Sequence, residues 1–383
     1  MAKIDRYLEA VKKTNGSDLH IQAGIIPKVR IHGQLEGLKQ KPPTQSETEE
    51  LLFEILSPRQ KKRFQETGDL DFAYPLDGVG RFRTNFFRHQ RGMGAVFRLI
   101  PTEILPVKDL GVPEVVEKFC HLRSGLILVT GPTGSGKTTT LAALIDYINR
   151  NFDKHIITVE DPIEFVHEDK RSVISQREVG PDTESFAAAL RSASREDPDV
   201  LLVGEMRDLE TMRMAVTLAE MGQIVFATLH TNNAAKTIDR MVDVFPEEQQ
   251  NQIRTMLSVS LKGVVSQLLC RRADGKGRAA VTEIMFGSLA LSNLIREGAV
   301  HKIASVIEGG RSEGMRLMDD SIMERLQAGE ILAREAYMKA IDKRRFEPAL
   351  AREQRVAEQA QKAKSEAATE KPEAAEAAEA SEG

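Results

Sequence analysis

The sequence predicts an α/β protein. A nucleotide-binding domain with a largely parallel, helix-covered sheet follows a smaller mixed α/β domain and precedes a disordered tail. Three observations carry that prediction. The stretch Gly131-Pro132-Thr133-Gly134-Ser135-Gly136-Lys137-Thr138 fits the pattern G-x-x-x-x-G-K-[ST] of a phosphate-binding loop. Apolar strand-like segments at 126–130, 155–159, 199–203 and 223–228 alternate with helical ones at 138–150, 183–194, 209–221 and 234–243, which implies crossover connections. From 348 to 383 the chain turns to Ala, Glu, Lys and Gln, with too few core-forming side chains to offset the entropy of ordering.

Residues 1–100 divide into a helix carrying Ile4, Leu8 and Val11, short strands at 18–23 and 28–31, and a helix at 46–56. Thr44 or Ser46 suits the N-cap of that helix, and Leu51, Leu52 and Ile55 form its buried stripe. Strands at 69–74, 80–88 and 94–100 complete the domain. Pro106 and Pro113 stiffen a linker over 101–113. The second domain, 114–347, continues past the alternating segments with a long amphipathic helix at 247–269 and a strand at 279–285. Helices near 288–297, 315–328 and 333–342 close it.

The chain has 383 residues, enough for two or three domains, and a net charge of only −4. A strongly basic nucleic-acid binder is not indicated, and no aromatic stacking series accompanies the short clusters Arg271-Arg272 and Arg344-Arg345. Cys120 and Cys270 form no metal-ligand pattern and read as core thiols of a reducing compartment. No signal peptide and no apolar run of about 20 residues is present, so a soluble cytoplasmic protein is expected.

The chemistry gathers around the loop. Residues Gly131 to Thr139 are the candidate phosphate-binding stretch: its glycines let the loop's N–H groups, Pro132 having none, converge on one anion at a helix N-terminus. Lys137 is placed to reach the β- and γ-phosphates of ATP, and the Thr138 hydroxyl to bind Mg²⁺. Open parallel sheets hold ligands at the carboxyl ends of their strands. There the sequence supplies Glu160 and Glu164, then Glu205, then His230. Glu205 is the candidate for polarising the attacking water, Glu160 and Glu205 for supporting the metal, Glu164 for the water network and His230 for sensing the γ-phosphate.

Four spaced motifs then agree in order: Gly131–Thr138, residues 157–164 (ITVEDPIE), residues 202–208 (LVGEMRD) and residues 228–232 (TLHTN). Together they resemble the secretion ATPases of type II and type IV pilus systems, as their Walker A, Asp, Walker B and His boxes. The match is nearest the twitching-motility, pilus-retraction branch, which residues 16–20 (GSDLH) and 80–85 (GRFRTN) also resemble. The resemblance implies a PAS-like N-terminal domain joined to a RecA-like ATPase domain, in a homohexameric ring using ATP and Mg²⁺. It implies a pilus-retraction motor at the cytoplasmic face of the inner membrane, peripherally attached, with a pilus platform protein and a paralogous retraction ATPase as partners. Arg81 and Arg83, with Arg98 and Arg207 behind them, match family arginines that reach the phosphates. The four-cysteine zinc site of pilus-assembly ATPases is missing. The branch's Ala-Ile-Arg-Asn-Leu-Ile-Arg motif reads here with Ser292 for the first arginine. Two alternatives stay open: an accessory nucleotide-binding subunit of the retraction motor, and a RecA-like motor on nucleic acid.

Overall fold

The computed structural model describes residues 2–31, 34–100, 103–356 and 358–359. The N-terminal part runs α1 (Asp5–Lys13), β1 (Asp18–Gln22), β2 (Ile25–Ile31), β3 (Gln34–Gly37), α2 (Gln45–Phe53), α3 (Pro58–Thr67), β4 (Asp69–Leu76), β5 (Gly80–His89) and β6 (Gly92–Ile100). Its six strands form one antiparallel sheet in the order β3-β2-β1-β6-β5-β4. Two helices begin with capping boxes, Thr44 with Glu47 and Ser57 with Gln60. Helix α3 escapes the sequence periodicity because Phe64 is its one buried residue. Alternation on β5 fixes the sheet's two faces: Phe82, Thr84 and Phe86 are buried, so Arg81 and Arg83 point outward.

The second part holds β7 (Gly125–Thr130), α4 (Lys137–Asn151), β8 (His155–Glu160), β9 (Val173–Glu178), α5 (Phe186–Ala193), β10 (Val200–Val203), α6 (Leu209–Glu220) and β11 (Ile224–Leu229). It continues with α7 (Ala234–Asp243), α8 (Glu247–Ser260), β12 (Leu261–Arg271), β13 (Arg278–Phe286), α9 (Leu289–Glu297), α10 (Ile303–Gly309), α11 (Met318–Gln327) and α12 (Ala333–Lys339). The sheet order is β13-β12-β7-β11-β10-β8-β9, parallel throughout except for the β12–β13 hairpin. Strands buried on both faces need a core on each side. Val159, Leu201, Val203 and Val225 pack with Met212, Val216 and Ile238 on one side. Ile127, Val129, Leu202 and Phe226 pack with Leu141, Leu144 and Ile145 of α4 on the other.

Three expectations change. The helix expected over 247–269 ends at Ser260, and the chain turns there into β12. Gly263 sits under Phe119, where a Cβ would come within 2.1 Å of the ring, and the β-branched Val264 and Val265 follow it. The linker expected over 101–113 is packed from 107 onward, with Val107 and Val112 buried in the second core. The extension expected to be disordered from 348 is helical from 347 through 356. Its Glu353 carboxylate accepts the N–H of Ala333 and of Arg334, which fastens it to the start of α12. Residues 360–383 lie outside the described residues.

Candidate functional site: a strand–loop–helix phosphate cradle

The loop leaves the fully buried β7 and enters α4, whose N-cap Gly136 is left-handed at φ 90°. Two features show why glycine occupies these positions. A Cβ on Gly131 would lie 2.3 Å from the Gln267 carbonyl oxygen, and one on Gly136 would lie 2.7 Å from Gln267 Nε2. Gly131 and Gly134 also have positive φ, 146° and 77°. Gln267, on the neighbouring β12, underlies the loop and accepts a hydrogen bond from Thr140 Oγ1 at 2.8 Å. Beneath it, Thr130 Oγ1 and Ser266 Oγ are 2.8 Å apart. Gln267 was not found in the sequence because its segment reads as helix.

Lys137 folds back over the loop and donates to the carbonyls of Gly131 (2.9 Å) and Pro132 (3.1 Å). Burial holds its ammonium below the usual lysine range, against the opposing charges of Glu205 and Glu164. Pro132, Thr133 and Gly134 are exposed at the loop's tip, and Thr138 and Thr139 are half-buried in the first turn of α4. The Ser135 hydroxyl is buried without a hydrogen-bond partner among the described residues. An orphaned donor beside a ring of loop amides fits a phosphate oxygen.

Glu205 stands two residues past β10, and His230 one past β11. Glu205 Oε1 is 3.0 Å from His230 Nε2, and Oε2 accepts from Arg207 Nη2 at 2.7 Å. Burial acts to raise the Glu205 carboxyl, but Arg207 and His230 outweigh it and hold the group below the usual carboxylate range. It is ionised and oriented, as water polarisation requires. Arg207 is committed to Glu205 in this arrangement, so it serves the carboxylate directly.

Glu160, at the end of β8, is different. It is 6% exposed and accepts from Thr158 Oγ1 at 2.7 Å and from Gln176 Nε2 at 3.2 Å. Burial pushes it up to about 7 in spite of those bonds. In this arrangement the carboxylate also braces β8 against β9, through Thr158 on its own strand and Gln176 on the neighbouring one. Among the described residues no group of three or more His, Cys, Asp or Glu is arranged to hold an ion. Thr138, Glu160 and Glu205 offer oxygen donors of the kind Mg²⁺ takes alongside phosphate oxygens and water, and its coordination usually keeps several waters.

The N-terminal arginines meet the second domain through its acids. Arg81 Nη2 donates to Glu178 Oε2 at 2.7 Å, and Arg83 Nη1 lies 3.6 Å from Glu164 Oε1. Glu178 also accepts the Ile163 N–H at 3.2 Å. Its role could not be found in the sequence, since β9 has no apolar run. Arg98, directly opposite Arg83 in the β5–β6 ladder, is committed instead to Asp18 Oδ1 at 2.8 Å, within its own domain.

A glycine loop between a buried parallel strand and a helix, with acids at the neighbouring strand ends, defines a P-loop nucleotide-binding protein. The family model described as "Type II/IV secretion system protein" matches residues 1–373. The type IV pilus retraction ATPase PilT of Pseudomonas aeruginosa is 49% identical over 332 residues, 87% of this chain and 96% of that protein. The type IV pilus ATPase PilU of the same organism is 37% identical over 334 residues, 87% of each chain. A crystal structure of the pilus retraction motor PilT with bound ADP superposes with a TM-score of 0.84 at 43% identity, covering 91% of this chain and 99% of that one. The chain belongs to the type II/IV secretion system protein family, in its pilus-retraction branch.

Proposed function

We propose that this protein is a Mg²⁺-dependent ATPase motor that powers type IV pilus retraction, and so twitching motility, as a homohexameric ring. The observation that carries the reading is the convergence of an ionised, hydrogen-bonded Glu205 and its partner His230 on the Lys137 loop. Similarity to PilT over nearly the whole chain supports the biological role.

In this reading the loop amides, the Ser135 hydroxyl and Lys137 hold the phosphate chain. Glu205 orients and polarises the attacking water, with His230 and Arg207 setting its carboxylate. Mg²⁺ on Thr138 and Glu205 would neutralise charge on the phosphate oxygens. Glu160 and Glu164, at and just past the end of β8, support the water and metal network. Arg81 and Arg83 are carried by another domain, so moving them to developing negative charge would couple chemistry to domain movement. No helix among the described residues is long and apolar enough to cross a membrane. By likeness to the pilus-retraction ATPases, the motor acts from the cytoplasmic face of the inner membrane, against a platform protein and beside a paralogous ATPase.

The full-length chain should hydrolyse ATP, and Lys137→Ala should abolish turnover; equal rates for the two would refute the enzymatic reading. A deletion strain should keep surface pili and lose twitching, whereas loss of pili would indicate assembly instead. Ser292, half-buried on α9 where the branch carries arginine, favours one second reading, an accessory subunit akin to PilU. Normal steady-state turnover by the protein alone removes it. The nucleic-acid reading loses one of its two clusters, because Arg344 and Arg345 are tied to Asp342 and Asp320.

A further inference from the structure

One buried carboxylate outside the loop takes part in none of these steps. Glu283 lies on β13 and is 4% exposed. Its Oε1 accepts the Ala234 N–H at 2.7 Å, and its Oε2 the Met318 N–H at 3.4 Å. Ala234 is the first residue of α7 and Met318 the first of α11. One side chain thus serves two helix N-termini, where unpaired N–H groups and the helix dipole both favour an acceptor. Burial of a carboxyl is costly without such partners, and an apolar residue would fill the site more cheaply.

The position of α7 gives this cap a reach beyond packing. Only His230, Thr231, Asn232 and Asn233 separate the end of β11 from Ala234. That turn is fastened within itself by Thr231 Oγ1 to Thr237 Oγ1 at 2.7 Å and by the Asn233 side chain on the Lys236 N–H at 2.8 Å. Its far end is fastened to the sheet by Glu283, and His230 at its near end meets Glu205 at 3.0 Å. We propose that Glu283 is a positioning residue for hydrolysis: by anchoring the N-terminus of α7 it sets His230 against Glu205, a role that presumes ATP hydrolysis at this site. Through Met318 the same carboxylate ties that setting to the C-terminal helices, so α7 and α11 shift together.

The test is steady-state ATP turnover of the full-length protein, comparing wild type, His230→Ala, Glu283→Ala and the double variant. Glu283→Ala should lower kcat about tenfold with KM within about twofold, the signature of an interaction that matters after binding. In the double variant the loss should equal that of His230→Ala alone, because two residues acting through one contact do not add. Multiplying effects, a loss in KM alone, wild-type turnover by Glu283→Ala or normal turnover by His230→Ala would each overturn the role. Ala234→Pro deletes the same hydrogen bond from its donor end if Glu283→Ala does not fold. Proline is accepted at a first helical position, and Asn233 at φ −157° and ψ 167° is extended, as a residue before proline should be. This variant must reproduce the kcat loss, or the role fails. A wild type no faster than Lys137→Ala sinks the ATPase reading and this role with it; an active, His230-dependent wild type with normal Glu283→Ala sinks this role alone.

Discussion

Arg81 Nη2 lies 2.7 Å from Glu178 Oε2, joining the outward face of β5 to the last strand of the second sheet. The two side chains are 22% and 8% exposed, so the pair is largely withdrawn from water. Arg83 and Glu164, two residues along β5, are wetter and longer at 3.6 Å.

The two contacts should therefore differ in worth. Arg81→Ala strips the buried Glu178 carboxyl of a charged partner and should cost about 2 kcal/mol in urea unfolding. Arg83→Ala should cost no more than about 0.5 kcal/mol. Adding Glu178→Gln to Arg81→Ala should recover part of the loss, and simple additivity of the two would rule out the coupling.

The loop glycines should separate in the same way. Gly134→Ala meets no atom within 4 Å and bears only the left-handed backbone cost, about 1 kcal/mol. Gly131→Ala drives a Cβ against the Gln267 backbone, which cannot step aside. Its melting temperature should fall further than that of Gly134→Ala, and its ATP affinity should drop at least about tenfold as the cradle deforms. Equal melting temperatures would contradict the close approach of β12.

Burial holds His167 down to about 4 from the ordinary 6.5, against the pull of the Asp146 charge. A histidine kept neutral in the fold stabilises it above the unfolded pKa, and that contribution is lost as pH falls from 6.5 towards 4. Between pH 7.5 and 5, wild type should lose on the order of 1–2 kcal/mol more than His167→Gln in urea unfolding. Parallel losses would show that His167 is not the group being protonated.

Glu205→Gln keeps the size of the side chain but removes its charge and leaves one acceptor oxygen where Arg207 and His230 meet two. Turnover should fall by about 10² or more while ATP binding persists, as expected when a group acts on the water and only weakly on the ligand. Loss of binding in step with turnover would place Glu205 among the ligand contacts instead.

What the sequence made legible followed from the kind of signal each element carries. Strands β7, β8, β10 and β11 are buried on both faces, so they appear as unbroken apolar runs with polar strand ends, and Glu205 and His230 stand where such runs stop. Strand β9 is half-exposed and mixed in character, so neither it nor Glu178 could be seen. Strand β12 continues the amphipathic pattern of α8, and the change of period is marked by little more than Gly263 and two valines. Arg98 shows the limit of motif matching: the motif gives the position, but the nearest partner, here Asp18, decides what the side chain reaches.

The β12–β13 hairpin has two working faces. Gln267 and Leu269 lie towards the phosphate loop, while Cys270, Ala279 and Val281 pack with Met318 and Ile322 of the C-terminal helices. It is a party wall, one strand-layer thick, between the nucleotide site and the chain's last helices. A substitution in its middle registers in both compartments at once. The exposed turn at 274–277, past the Ala273 N–H that donates to the Glu330 carbonyl, is the place where insertions, tags or natural length variation should be tolerated.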